Sequence, residues 1–73
     1  MSYTIYDTSN TSTATCVALE EAIQRVEAVL TLKENRGCRV EREVEGRWAI
    51  YHGTEIDLLW IEADNGSVIS FAR

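Results

Sequence analysis

One stretch limits what this chain can fold into more than any other. From Ala18 to Gly37 it reads ALEEAIQRVEAVLTLKENRG, the only long segment with a helical period. Leu19, Ala22, Ile23, Val26, Val29 and Leu30 recur at i, i+3, i+4 and i+7, the spacing of one apolar stripe. Glu20, Gln24, Glu27, Thr31 and Glu34 fall on the opposite side. Thr15 is the expected N-cap, its hydroxyl accepting an amide hydrogen bond from a first turn that begins near Cys16. Glu20 and Glu21 suit the positive end of the helix dipole, and Lys33 and Arg36 the negative end. Glu21 and Arg25 form a favourable i, i+4 pair, and Gly37 supplies the left-handed residue that ends a helix.

Elsewhere the period is two. Ser2 to Tyr6 alternates as a strand, with Tyr3 and Ile5 on one side. The polar stretch from Asp7 to Thr15 fits a surface loop, or equally a turn at Ser9-Asn10 followed by a second strand through Val17. From Cys38, the residues Val40, Arg42 and Val44 alternate with Arg39, Glu41, Glu43 and Glu45. Gly46 marks a turn, and Arg47 to His52 forms the next strand. A three-residue loop of Val44, Glu45 and Gly46 pairs Glu43 with Arg47. It places Cys38, Val40 and Arg42 opposite His52, Ile50 and Trp48. Gly53-Thr54 turns the chain into the most apolar strand, Glu55 to Ala63. Asp64-Asn65-Gly66 is the strongest turn signal. It leads to a last strand, Ser67 to Ala72, with Ile61 opposite Ile69 and Leu59 opposite Phe71.

These signals predict an α+β domain spanning residues 1–73. One helix packs on one face of a four- to six-stranded antiparallel sheet, in the order strand, optional strand, helix, then a four-strand meander. With 73 residues the core is small, so self-association is a natural means of adding stability.

Charge excludes one class of partner. Twelve acidic residues against seven basic ones give a net charge of −5, which argues against phosphate-backbone binding. The opening residues have neither a basic region nor an apolar run, and no segment approaches the roughly 20 apolar residues of a membrane span. A reducing cytoplasm is therefore expected, with both Cys16 and Cys38 free.

Chemistry-bearing constellations are sparse. There is no glycine-rich phosphate loop, no C-x-x-C and no H-E-x-x-H, so no catalytic residue, metal or cofactor is assigned. Cys38 and His52 are expected as cross-strand neighbours: a nucleophile beside a base, two zinc ligands, or a small buried thiol beside a histidine at the sheet end. Arg42 either binds an anion in a pocket or, as preferred, stacks on Trp48. Glu41, Glu43 and Glu45 form an acidic row on the other side of their strand. Leu58 and Trp60 point away from the helix, with Val68 beside them. Either the N-terminal segment covers them, or they form a partner surface. Trp60 is expected to carry more of the stability than Trp48, which sits beside a turn under Arg42.

The functional expectation is a non-enzymatic protein-interaction module, self-associating as a homodimer through Leu58, Trp60 and Val68. The alternatives are an acidic inhibitor that imitates nucleic-acid charge toward a basic partner, and an enzyme built on Cys38 and His52.

Overall fold

The computed structural model describes residues 2–8, 12–44 and 46–69. In chain order they form β1 (Tyr3–Asp7), β2 (Ser12–Cys16), α1 (Leu19–Asn35), β3 (Arg39–Val44), β4 (Arg47–His52) and β5 (Glu55–Ala63). Among the described residues the strands make one antiparallel sheet in the order β2-β1-β5-β4-β3. The stretch after Asp7 is thus a hairpin and not a long surface loop, although its turn lies outside the described residues.

The helix lies across one face of this sheet. Ala22, Val26 and Leu30 are buried, with Leu19 and Ile23 packed at their flank, as the apolar stripe predicts. Facing them are Ile5 of β1, Cys16 of β2, Trp48 and Ile50 of β4, and Leu59 and Ile61 of β5. Alternation along each strand selects these residues, because paired residues in an antiparallel ladder project to the same side. Ile5 pairs with Ile61, and Trp48 with Leu59.

The helix ends follow local chemistry unevenly. At the C-terminus Gly37 has φ +89°, its N–H donates to the Glu34 carbonyl, and the Cys38 N–H donates to Lys33. That pair of bonds is the Schellman arrangement, and glycine carries it without the steric cost of a Cβ. The N-terminus differs from expectation. Thr15 belongs to β2, where it pairs with Thr4, and the cap is Ala18 in extended conformation with no side-chain hydrogen bond. The demand of the β1–β2 ladder outweighs the weaker preference for a threonine cap.

One further expectation is corrected. Between β3 and β4 the predicted register holds for Arg39 with Tyr51, Val40 with Ile50 and Glu41 with Ala49. It then slips, and Val44 pairs with Arg47. Arg42 and Glu43 together oppose Trp48, which is a β-bulge. The expected pairing of Glu43 with Arg47 does not form. Gly46, immediately before Arg47, takes φ +80°.

The end of the meander keeps its expected register as far as the described residues reach. The turn itself forms as predicted: the Ala63 N–H donates to Ser67, and the Ile69 N–H donates to Ile61 at 2.8 Å. Among the described residues beyond the turn the chain makes an isolated bridge, Glu62 with Val68, in the expected register of Ile61 with Ile69; the rest of the expected strand, from Ser70, lies outside the described residues. β5 has β1 on one edge and β4 on the other, and the described part of the returning chain pairs where β5 outruns β4, whose ladder stops at Trp60. The expected contact of Leu59 with Phe71 lies outside the described residues.

The two tryptophans have exchanged roles relative to expectation. Trp48 is 3% exposed and central to the core, whereas Trp60 is half-buried on the face without a helix. The Trp48 ring lies on the helix side because its strand pairs it with Leu59.

Candidate functional site

Three places in the fold combine chemistry with access. The first is the helix-free face of the sheet. Tyr6, Ala49, Leu58 and Trp60 occupy its centre, and Ile56, at 50% exposed, and Val68, at 40%, extend it. Leu58, Trp60 and Val68 are therefore brought to one face, as the strand alternation predicts. The described part of the N-terminal segment forms β1 and β2 within the sheet itself and so does not fold over this face.

This face is ordered by ring and charge contacts. The Tyr6 and Trp60 rings stack with centroids 5.9 Å apart and planes 20° from parallel. The Arg47 guanidinium lies over Trp60 at 5.9 Å, and Trp60 Nε1 donates to Glu62 Oε2 at 2.8 Å. Arg39 lies 4.2 Å above the Tyr51 ring and also pairs with Glu41 at 3.3 Å. Aromatic rings held in this way present area at low cost in conformational freedom.

The predicted acidic row is only partly defined. Glu41 pairs with Arg39 at an exposed position, and the side chain of Glu43 and all of Glu45 lie outside the described residues.

The second place is Arg42. It is drawn from Trp48 to the helix, where its Nε donates to Glu27 Oε1 at 3.0 Å. Its two terminal nitrogens donate to both oxygens of Glu34, at 2.9 and 3.2 Å. The guanidinium is thus a clamp between β3 and α1, an arrangement suited to its planar fork. Glu27 Oε2 is buried without a hydrogen-bond partner, so this clamp is not fully matched.

The Arg42 hydrogen bonds hold the Glu34 carboxyl below its ordinary value of 4.5, although partial desolvation opposes the shift. A carboxyl depressed in the folded state stabilises the fold above its unfolded value and loses that contribution as pH falls through the folded value. Acidification below about pH 4.5 should therefore lower the thermal unfolding midpoint. Arg42→Gln should make that acid-side fall shallower. An unchanged acid limb in the variant would show that the clamp contributes nothing to stability.

The third place is at the end of the sheet where β3 begins, β4 ends and β5 begins. Cys38 Sγ lies 3.4 Å from His52 Nδ1, so the predicted Cys38–His52 neighbours do meet. On the other side of the ring, His52 Nε2 lies 3.0 Å from Asp57 Oδ2. Thiol, imidazole and carboxylate therefore form a chain through both ring nitrogens. Sequence motifs do not single out Asp57. Its one signal is the Gly53-Thr54 turn, which pairs His52 with Glu55 and makes Asp57 the diagonal neighbour on the same face. Among the described residues, no group of three His, Cys, Asp or Glu side chains is placed to hold a metal ion.

Beside this chain a cleft of about 660 Å³ opens between the helix and the sheet. Ile5, Ile50, Leu59 and Val26 give it an apolar lining, and Asp7, Asp57, Arg25 and Lys33 add charges of both signs. Its presence explains Val29, which belongs to the helix stripe yet is 40% exposed. Both cysteines are free, and burial pushes the Cys16 thiol up from its ordinary value, with Glu21 adding to the shift. Among the described residues no helix is long and apolar enough to cross a membrane.

No family model matches the chain, and neither the curated proteins nor the solved structures contain a match.

Proposed function

We propose that this domain is a non-enzymatic interaction module that pairs with a second copy of itself through the helix-free face of the sheet. The observation that carries this is the aromatic and aliphatic centre of that face: Tyr6, Trp60 and Leu58, bordered by the half-exposed Ile56. Charge selects the partner. The chain is strongly acidic overall, yet this face interleaves Arg39 and Arg47 with Glu41 and Glu62. A face carrying both signs can complement itself across a two-fold axis, where each arginine meets a glutamate of the other copy. The outline of 36 × 23 × 19 Å leaves room for an interface of about 800 Å² per partner, the standard size.

Sedimentation equilibrium across a wide concentration range tests this. The native chain should approach twice its 8.3 kDa mass, and Ile56→Glu should shift the equilibrium to monomer without loss of helical signal. A native chain that stays monomeric at millimolar concentration would remove the proposal.

A further inference from the structure

The chain of contacts at the sheet end extends beyond an interaction role. We propose that Cys38 is a thiol–disulfide exchange site, with His52 as its base and Asp57 as the group that sets the base, taking low-molecular-weight disulfides as its reactant.

The carboxylate decides the arrangement. Asp57 presents an oxygen 3.0 Å from His52 Nε2, and a carboxylate only accepts hydrogen bonds. The proton of a neutral ring therefore sits on Nε2. That leaves the lone pair of Nδ1 facing Cys38 Sγ at 3.4 Å, so the thiol is the donor in that contact. Sulfur contacts are longer than those of oxygen, and this distance suits S–H to nitrogen. Cys38 is half-buried and so remains reachable, whereas Cys16 is 2% exposed and sealed under the helix. Two cysteines in one chain thus meet opposite conditions.

The exchange needs only these groups and the disulfide. The Cys38 proton moves to His52 Nδ1, and the sulfur attacks one sulfur of the reactant RSSR. A Cys38–S–S–R bond forms as the original S–S bond breaks. The departing thiolate takes the proton back from Nδ1 and leaves as RSH, so one disulfide is consumed and one is formed. Acyl transfer would also need hydrogen-bond donors placed for an oxyanion. Exchange makes no such demand, which is why a disulfide is the reactant that the three side chains fit.

Oxidised glutathione serves as the probe, with peptide mapping by mass spectrometry to separate the two cysteines. At pH 7 Cys38 of the folded chain should form the mixed disulfide about tenfold faster than Cys38 of the urea-unfolded chain. His52→Gln should bring the folded rate down to the unfolded one, and Asp57→Ala, at an exposed position, should lower it several-fold with the circular dichroism unchanged. His52 is the only histidine, so long-range ¹H–¹⁵N spectra of the native chain report its tautomer without any substitution. The proton should be found on Nε2. A folded rate no higher than the unfolded one, a His52→Gln rate equal to the native rate, or a proton residing on Nδ1 would each overturn the proposal.

Discussion

Replacing Trp48 by alanine should lower the stability of the fold by about 3–5 kcal/mol, the usual loss for a large aromatic removed from a packed core. The ring is 3% exposed and belongs to the buried cluster that also holds Ile50, Leu59, Val26 and Leu30. In a domain of this size such a loss is a large part of the total and should leave a visible unfolded population at room temperature. Trp60→Ala should cost about 1–2 kcal/mol in dilute solution, because its ring is half-buried and held mainly by Tyr6 and Arg47. Urea denaturation of the two variants at low protein concentration measures the difference. A Trp60 loss equal to or greater than the Trp48 loss would contradict the assignment of the two sheet faces. If self-association occurs, the Trp60 loss should grow with protein concentration and the Trp48 loss should not.

The second large effect contrasts two adjacent helix positions. Leu30 is fully buried, and Leu30→Ala should cost about 2–5 kcal/mol through lost burial and the cavity left behind. Val29 belongs to the same apolar stripe but lines the open cleft, and Val29→Ala should change stability by about 0.5 kcal/mol or less. Alanine also favours the helix over a β-branched residue, which offsets part of the small contact loss. Thermal unfolding of both variants checks this. Comparable losses at the two positions would mean that the cleft is closed in solution.

The sequence by itself determined the elements that depend on neighbours a few residues away. A 3.6-residue period in the Ala18–Gly37 stretch is enough to specify a helix with Ala22, Val26 and Leu30 inside, because the stripe follows from the geometry of one element. Gly37 ends that helix by a property of its own backbone. The Gly53-Thr54 and Asp64–Gly66 turns likewise fix the registers on either side of β5, since a hairpin loop sets which residues oppose each other. The α+β architecture follows from these local rules, whereas the meeting of Cys38 with His52 depends on the β3–β4 register, which the bulge at Arg42 and Glu43 sets.

Only the tertiary structure decided what depends on competition between distant segments. β4 and the returning C-terminal segment use the same edge of β5, and no local pattern ranks them. β4 pairs along Glu55 to Trp60, and among the described residues the return makes its bridge, Glu62 with Val68, beyond that ladder. Arg42 stands opposite Trp48 in the strand pattern, but two helix carboxylates from Glu27 and Glu34 reach it once α1 is docked. The role of Trp48 could not be judged from its place beside a turn, because burial depends on which sheet face the helix covers. Asp57 completes the Cys38–His52 chain for a similar reason: its contact with the Nε2 side of His52 needs the ring's orientation, which alternation alone does not specify. Periodicity is a property of single elements, whereas edge occupancy, ion-pair choice and ring orientation are settled only when elements already formed compete for the same partner.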